Sequence, residues 1–302
     1  MSDKKSAVVA LGYFDGVHKG HVAVIKTARG IADKQNRLLA VASFGGNLRA
    51  ALGNGEESFI FDKEERKKLF LSLGADETLF FPTDRDFLSK TGEEFLDHLN
   101  GIYDVAEYVC GEDYRFGNGG ACDVAFLKNY AEVHGQRVTV AETLSFGGEK
   151  ISASLIKRLF LSGRIREANG LLYSPYFISG KVVKGRGEGR ILGFPTANLK
   201  IDPRKAALKD GVYAGEIVAD GRKFKAVINY GNSPTFSREE RLIEAFIPDF
   251  SGDLYGKEIT VGFTDYIRGI KKFGSEEELE RAIEKDVETV TGKGYDKVRT
   301  EW

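Results

Sequence analysis

Short apolar runs alternate with amphipathic segments in the first half of the chain. The amphipathic segments have helical spacing, and two of them begin with capping boxes, at Asp62–Glu65 and Thr91–Glu94. This alternation predicts an α/β unit, a Rossmann-like parallel sheet with helices on both faces, whose ligands bind beyond the carboxyl ends of the strands. The apolar runs predicted as strands are residues 7–11, 38–44, 77–81, 106–110 and 137–141, and the helical patterns are residues 22–33, 62–73, 91–99 and 123–133.

The pattern changes after about Pro175, where strand-like runs dominate. Asp220-Gly221 predicts a tight hairpin turn between two of them. A closing helix is predicted after Ser275, as N-cap, with Glu278 completing a capping box. Several short strands with turns between them predict a small antiparallel Greek-key barrel followed by a C-terminal helix. The predicted strands are residues 177–183, 212–218, 223–228, 242–247 and 259–263, and the predicted domains are residues 1–172 and 173–302.

Composition narrows the class of protein. The 302 residues carry 44 basic and 45 acidic side chains, a net charge of −1, so no overall field favours nucleic acid or an anionic membrane. No apolar run approaches the roughly 18 residues of a membrane span, and the N-terminus does not resemble a signal peptide. Cys110 and Cys122 have neither redox nor metal-site spacing. We therefore expect a cytoplasmic protein with no nucleic-acid or membrane partner, and its oligomeric state stays open.

Two histidines, His18 and His21, lie where the first predicted strand becomes a helix. Free backbone N–H groups and the helix dipole favour an anion at such a position. Glycines at 12, 16 and 20 allow the backbone to turn tightly beside a ligand. The segment predicts a phosphate site in which the imidazoles donate hydrogen bonds to developing charge. The alternative is a pair of unrelated surface histidines.

A glycine-rich, basic loop precedes Thr196 and Asn198 in the second half. It is not a Walker loop, and Pro195 interrupts it before a dinucleotide fingerprint could open a helix. Its backbone N–H groups can surround phosphates. Thr196 and Asn198 lie two residues apart in an extended segment, so their oxygens point the same way and suit Mg²⁺. The alternative is a glycine-rich hairpin with Asn198 as a turn residue. The predicted phosphate-binding residues of the loop are Gly185, Gly187, Gly189 and Arg190.

The segment Gly12-Tyr13-Phe14-Asp15-Gly16-Val17-His18-Lys19-Gly20-His21 resembles a signature of the nucleotidylyltransferase superfamily. The match is to the FAD synthetase half of bacterial bifunctional riboflavin kinase/FAD synthetases (the riboflavin biosynthesis protein, RibF family). The resemblance implies that the first domain adenylylates FMN with ATP. It also implies that His18 and His21 contact the nucleotide phosphates. The binding loop would include Gly12, Phe14, Asp15 and Gly20.

Two later segments extend this resemblance. Residues 111–117 are similar to the family's Gly-x-Asp-Phe-x-Phe-Gly loop, and residues 151–158 to its Ile-Ser-Ser-Thr-x-Ile-Arg segment. Here Ala153 replaces a serine and Lys157 an arginine, and Phe44-Gly45-Gly46-Asn47-Leu48 stands where the family usually has Phe-Asp-Pro-His-Pro. These departures predict FAD synthesis that is slow relative to FMN synthesis. The implied nucleotide contacts are Asp113, Ser152, Ser154, Lys157 and Arg158.

The segment Gly-Arg-Ile-Leu-Gly-Phe-Pro-Thr-Ala-Asn, ending at Asn198, resembles the riboflavin kinase signature, and the similarity covers nearly all of residues 176–290. It implies that Glu244 is the general base for phosphorylation of riboflavin, and that Thr196 and Asn198 hold Mg²⁺. Flavin contacts are implied for Asn229 and Arg268. Ile270 replaces an acid that usually follows Arg268 by two residues.

The sequence therefore favours an enzyme of flavin cofactor synthesis, with ATP as co-substrate and riboflavin, FMN and FAD as its other small-molecule partners. One alternative is a riboflavin kinase whose first domain has lost most of its transferase activity. A non-catalytic flavin- or nucleotide-binding regulator is the other. The retained Thr196, Asn198 and Glu244 argue against a regulator, because binding alone requires no base.

Overall fold

The computed structural model describes residues 4–46, 48–51, 53, 58–185, 194–232 and 241–292. Tertiary contacts divide the chain into two compact units. Met1–Leu155 and Leu171–Ser174 form the first, and Ile156–Gly170 and Pro175–Trp302 form the second. Each unit is described by itself below.

The first unit is built on a five-stranded parallel sheet with the strand order β3-β2-β1-β4-β5. The chain runs outward from β1 to β3 and then continues at β4, on the other side of β1. The carboxyl ends of β1 and β4 therefore flank the position where ligands bind in such sheets. Its elements are β1 (Lys5–Leu11), α1 (Lys19–Gln35), β2 (Leu38–Phe44), α2 (Leu48–Ala51), α3 (Lys63–Ser72), β3 (Glu77–Phe81), α4 (Arg85–Leu88), α5 (Gly92–Ile102), β4 (Tyr103–Gly111), a 3-10 turn (Asn118–Gly120), α6 (Val124–Val133), β5 (Arg137–Ala141), β6 (Ser145–Phe146) and β7 (Glu149–Lys150).

The central strand, β1, has a continuous apolar sequence because it is buried on both faces. Residues 7–10 of β1 are fully buried, as expected for a parallel strand covered by helices on both faces. One face belongs to a core that includes Phe95 and Leu99 of α5 and Leu127 of α6. Both predicted capping boxes of this unit are present, at the starts of α3 and α5. The structure confirms the Rossmann-like sheet predicted from the alternating pattern.

The second unit is a closed antiparallel barrel with the strand order β10-β11-β12-β9-β8-β13. Three consecutive strands, β10 to β12, are neighbours, and β13 returns beside β10, which confirms the predicted Greek key. The remaining elements of the chain are α7 (Ala153–Leu161), α8 (Ile165–Leu171), β8 (Phe177–Val183), β9 (Thr196–Lys200), β10 (Gly211–Ala219), β11 (Arg222–Asn232), β12 (Arg241–Phe246), β13 (Glu258–Arg268) and α9 (Glu276–Thr291).

Helix α9 covers part of the outer surface of the barrel. Val287 of α9 packs with Phe194, Val212, Val227 and Phe246 in a buried apolar cluster. Val212, Val227 and Phe246 alternate with inward-facing residues along their strands. The C-terminal helix therefore lies against the outer face of the β10–β12 sheet.

Several details differ from the sequence prediction, among them the following. Helix α1 begins at Lys19, earlier than expected, because His18 caps it. Helices α7 and α8 are not among the predicted elements. At α9, Ser275 Oγ accepts the Glu278 N–H as predicted, but Glu278 Oε2 accepts from Gly274 N–H, 3.1 Å away. The predicted reciprocal box is therefore wrong in its second half.

Candidate active sites

The loop after β1 is strained. Phe14 has φ 54° and Val17 φ 43°, both in the left-handed region that non-glycine residues rarely adopt. Phe14 is 1% exposed and Val17 is fully buried, so packing holds both in place. Val17 N–H donates to the Phe14 carbonyl at 3.2 Å, which closes a tight turn. Such strain persists where surrounding contacts over-determine the backbone, and it is commonest at functional sites.

His18 and His21 form a stacked pair at the start of α1. Their ring centroids are 3.5 Å apart with planes inclined by 21°. His18 Nδ1 accepts the backbone N–H of His21 at 3.3 Å, which assigns the proton of the neutral His18 ring to Nε2. The edge of the Phe14 ring contacts His21 at 5.2 Å between centroids. The structure thus brings together the two predicted histidines and one predicted loop residue.

Both imidazoles are neutral at pH 7. Burial, assisted by the charge of Lys150, lowers the pKa of His18 to about 4, although Asp113 acts in the opposite direction. Burial also lowers the pKa of His21 well below its usual range, and His18, Arg66 and Lys150 add to this effect. The rings can therefore donate hydrogen bonds to an anion but bring no positive charge of their own.

Gly12, Asp15 and Gly20 also shape the site. A side chain at Gly12 would lie 2.7 Å from the Phe14 ring, and one at Gly20 would lie 3.2 Å from the His18 ring. Asp15 is 4% exposed, and its Oδ1 accepts the Ile60 N–H at 2.8 Å. The Asp15 carboxylate therefore ties the loop to the segment before α3.

The loop after β4 meets the β7 strand at this end of the sheet. Asp113 Oδ2 lies 2.5 Å from Lys150 Nζ. Ser152 Oγ accepts the Leu155 N–H at 3.2 Å, in the manner of a helix cap for α7, and Ser154 is exposed. Two of the predicted nucleotide contacts lie further along α7, in the part that belongs to the second unit: Lys157 and Arg158.

Arg66 of α3 is a site residue that the sequence reasoning missed. Its guanidinium is 3% exposed and donates to the carbonyls of Tyr13 and Phe44, both at 2.8 Å, and to Ser43 Oγ at 3.0 Å. Burial lowers its pKa. Arg66 therefore holds together the chain that leaves β1 and the end of β2. The available signal was its helical spacing with Leu69 and Phe70, which places it on the buried face of α3.

Two glycines stand after β2 where the family usually has an acid and a proline, and the second of them is tightly packed. Gly45 N–H donates to the Phe81 carbonyl at 2.8 Å. A side chain at Gly46 would approach Thr83 Oγ1 to 2.2 Å, so Thr83 would have to move. Tyr13 Oη also donates to the Gly46 carbonyl, at 3.3 Å. Asn47, the next residue of this departure, lies outside the described residues.

A second set of predicted residues forms a row across three barrel strands. Asn198 of β9 pairs in register with Glu244 of β12, and Glu244 pairs with Asn229 of β11. The residues next to them in sequence point into the barrel, so all three side chains share its outer face. Asn198 is 5% exposed, Glu244 is partly buried and Asn229 is exposed. The row thus runs from a buried amide to solvent, with the carboxylate in the middle.

Thr196 and Gly185 complete this site. Thr196 lies on the same face of β9 as Asn198, whose Nδ2 donates to the Thr196 carbonyl at 3.4 Å. A side chain at Gly185 would lie 2.3 Å from Asn198 Nδ2 and 2.8 Å from Oδ1, so glycine allows the loop to approach the amide. The hydroxyl and amide oxygens fit the preference of Mg²⁺ for oxygen ligands. The predictions at Gly187, Gly189 and Arg190 lie outside the described residues.

Arg268 continues the row through Val212, which pairs with both Asn229 and Arg268. Its Nε lies 3.1 Å from both oxygens of Asp286, and its Nη2 lies 2.7 Å from Oδ2. Asp286 belongs to α9 and is 4% exposed. The acid that the family places two residues after Arg268 is absent, and Ile270 at that position is 57% exposed. Helix α9 supplies an acidic partner for the arginine.

The described residues contain no group of three or more histidine, cysteine, aspartate or glutamate side chains arranged to hold a metal ion. Within the same ranges, no helix has both the length and the apolar character needed to cross a membrane.

Comparison with known proteins agrees with both sets of residues. A family model of FAD synthetase matches residues 1–155, and a riboflavin kinase model matches residues 172–292. The Listeria monocytogenes bifunctional riboflavin kinase/FMN adenylyltransferase is 33% identical over 282 residues, covering 92% of this chain and 90% of the relative. The chain belongs to this bifunctional family. The Bacillus subtilis member is 33% identical over 290 residues, covering 94% of this chain and 91% of its own length.

One solved structure is similar to this chain over nearly its whole length. It covers 97% of this chain and 97% of its own, with a TM-score of 0.87 and 31% sequence identity. That structure is described as a macrolide-efflux protein from Streptococcus pneumoniae. The two family models and the curated relatives do not share this description. They agree with one another on riboflavin kinase and on FAD synthetase or FMN adenylyltransferase.

Proposed function

We propose that this chain converts riboflavin to FMN in its barrel and FMN to FAD in its Rossmann-like domain, using ATP in both steps. The observation that carries the proposal is the row Asn198–Glu244–Asn229, which places one carboxylate between two amides on the outer face of the barrel. A binding protein would not need a base there. Membership of the bifunctional family supports the same pair of reactions.

In the kinase step, Glu244 accepts the proton of the ribityl primary hydroxyl as its oxygen bonds to the γ-phosphorus and ADP leaves. Asn229 and Arg268 orient the flavin, with Arg268 held by Asp286. Thr196 and Asn198 would hold Mg²⁺, which neutralises ATP phosphate charge when bound. The backbone at Gly185 and the loop that includes Gly187, Gly189 and Arg190 bind the phosphates.

In the adenylyltransferase step, an FMN phosphate oxygen bonds to the α-phosphorus of ATP and pyrophosphate leaves. The nucleophile is already ionised, so the site must position the groups and stabilise charge rather than remove a proton. His18 and His21 donate neutral hydrogen bonds to the phosphates, and Arg66 fixes the loop that carries them. The further nucleotide-binding residues of the proposal are Gly12, Phe14, Asp15, Gly20, Asp113, Ser152, Ser154, Lys157 and Arg158.

We also propose a functional boundary near residue 172 and a cytoplasmic location. The riboflavin kinase model begins at residue 172, in support of that boundary. Contacts nevertheless place the Ile156–Gly170 segment with the barrel, because Asn169 Nδ2 donates to the Phe263 carbonyl at 2.7 Å and Arg166 pairs with Asp265. Cys110 is a buried free thiol, which is consistent with a reducing compartment.

Crossed variants test the two assignments in one chain. Glu244→Gln should lower FMN formation by about 10²–10⁴-fold while leaving conversion of added FMN to FAD unchanged. His18→Ala combined with His21→Ala should do the reverse. The matched controls are Glu216→Gln, an exposed carboxylate on β10, and His134→Ala, an exposed histidine after α6. A Glu244→Gln kinase rate within threefold of wild type would remove Glu244 from the role of base.

A further inference from the structure

The segment at the start of the riboflavin kinase match makes its contacts with the first unit. The FAD synthetase model ends at residue 155, and the riboflavin kinase model begins at residue 172. By sequence similarity, Leu172 and Tyr173 therefore belong with the kinase. By tertiary contacts, Leu171–Ser174 belongs with the first unit, although Ile156–Gly170 before it and the chain from Pro175 onward do not. The first unit thus holds a short segment that lies outside the match to its own family model.

This segment pairs with the strained turn that carries the histidines. Leu172 and His18 form an isolated antiparallel bridge. Beside it, the Tyr173 N–H donates to the Val17 carbonyl at 3.1 Å. Val17 has φ 43° and is fully buried, and Leu172 is 5% exposed. The pairing therefore lies mostly out of water, at the most constrained point of the turn.

Hydrogen bonds on both sides of Val17 fix the direction of the peptide that leads to His18. The Val17 N–H donates to the Phe14 carbonyl at 3.2 Å, and the Val17 carbonyl accepts from Tyr173. Strain of the kind seen at Val17 persists only where surrounding contacts over-determine the backbone. Because the Val17 carbonyl and the His18 N–H belong to one peptide, loss of the Tyr173 bond would free that peptide to rotate and would shift the His18 ring.

The Tyr173 side chain ties the segment to helix α3. Its Oη donates to the Ser72 carbonyl at 3.3 Å. The same helix carries Arg66, which donates to the Tyr13 carbonyl at 2.8 Å. The turn is therefore held near its start through Arg66 and near its end through Tyr173, and both supports rest on α3. The Tyr173 ring is 39% exposed, so water can satisfy the Ser72 carbonyl when the ring is removed.

We propose that Leu171–Ser174 is a positioning element of the adenylyltransferase site, and that the Tyr173 N–H holds His18 in place through Val17. This inference rests on the proposed function of the first domain. Tyr173 acts through the backbone of the turn rather than on the substrates. Misplaced hydrogen-bond donors slow the chemical step more than they weaken substrate binding, because stabilisation of the transition state depends on their alignment. The part of the chain needed for the first domain's reaction therefore extends to residue 174.

The test compares Tyr173→Pro with Tyr173→Ala in the full chain. Both variants lose the tyrosine ring, but only proline lacks the backbone N–H that the Val17 carbonyl requires. Tyr173→Pro should lower kcat for FAD formation from FMN and ATP by about 10–100-fold and change the KM for ATP by less than about threefold. Tyr173→Ala restores the N–H and should recover most of this loss.

Tyr255→Pro is the matched control in the second unit. Tyr255 is exposed, and its N–H donates to Asp253 Oδ1 at 2.8 Å, so proline removes a comparable hydrogen bond there. FAD formation should stay at the wild-type rate in this variant. Riboflavin phosphorylation by Tyr173→Pro should also stay at the wild-type rate, which shows that the barrel of the same preparation is intact.

Hydrogen exchange separates positioning from unfolding of the first unit. In Tyr173→Pro, peptides that contain residues 12–18 should lose protection by about tenfold or more, while peptides from β4 keep theirs. A kcat within twofold of wild type would overturn the inference, and so would an equal loss in Tyr173→Ala. Loss of protection in β4 as well would overturn it, since the segment would then serve folding rather than alignment. Failure of the wild-type chain to make FAD would instead refute the proposed function, and the exchange comparison would still test the hold on the turn.

Discussion

The ion pair between Arg268 and Asp286 offers the sharpest test of how the barrel site is assembled. It joins the end of β13 to α9, and the Asp286 side chain is 5% exposed while that of Arg268 is 28% exposed. Replacing Asp286 with asparagine keeps the shape but removes the charge. The guanidinium would keep at most part of its three hydrogen bonds to this residue.

The expected loss follows from the burial of the pair. Removing one partner of a fully buried ion pair costs about 3–5 kcal/mol. Water reaches part of Arg268, so we expect a smaller loss of about 2 kcal/mol for Asp286→Asn and about 3 kcal/mol for Asp286→Ala. The loss should appear as local opening of α9, whose remaining hold on the barrel is the apolar cluster around Val287.

Hydrogen exchange of the full chain measures this opening directly. About 2 kcal/mol corresponds to a roughly 30-fold loss of protection in peptides from α9, with no change in peptides from β1. Asp220→Asn is the control, because its pair with Lys257 is exposed and should contribute less than about 1 kcal/mol. Arg268 lies in one row with Asn229, and we propose that both orient the flavin, so the KM for riboflavin should also rise in Asp286→Asn. Protection of α9 within threefold of wild type in Asp286→Asn would refute the reasoning.

Two further predictions concern Gly185, which lies against the Asn198 amide, and the buried His18. Gly185→Ala should lower FMN formation about 10–100-fold and raise the Mg²⁺ requirement, because the added methyl group would displace the Asn198 amide. Gly180→Ala is the control and should have little effect, because its methyl group would lie 3.5 Å from Leu199. Equal rates of FMN formation in the two variants would contradict the prediction. His18 has its pKa lowered from 6.5 to about 4, so the unfolded chain binds the proton more tightly and stability falls as the pH drops from 6.5 towards 4. Protonation of His18 should lower the free energy of unfolding by about 2 kcal/mol between pH 7 and pH 5. Chemical denaturation measures this free energy, and the His18→Asn variant, which keeps a capping side chain, should not show the decrease that His18 causes.

Periodicity was sufficient to predict most of the fold. The strands at 38–44, 77–81, 137–141 and 177–183 match the predicted bounds, because apolar runs flanked by turn residues leave little choice of structure. The Asp220-Gly221 turn lies between β10 and β11, and both of its residues have positive φ. Helices α7 and α8 are not predicted, although Leu155, Ile156, Leu159 and Phe160 form a buried face of α7 with helical spacing.

The barrel site was easier to predict from sequence than the histidine site. Asn198, Glu244 and Asn229 lie in one row because strand register follows from alternation once the neighbours are known. Arg66 and Asp286 were not predicted, since charged side chains in helices are usually solvated. Their roles depend on tertiary contacts with Phe44 and Arg268, which no local pattern encodes.

The central claim is that one chain carries out two consecutive reactions, and a product time course tests it most directly. Riboflavin, ATP and Mg²⁺ are incubated with the wild-type chain, and FMN and FAD are separated by chromatography. We predict that FMN appears first and FAD follows, with FAD formation from added FMN slower than the kinase step. Each charge-assisted hydrogen bond missing from the first domain costs about 1.5–3 kcal/mol. Formation of FMN without FAD would contradict the two-reaction account, and absence of both products would refute it entirely.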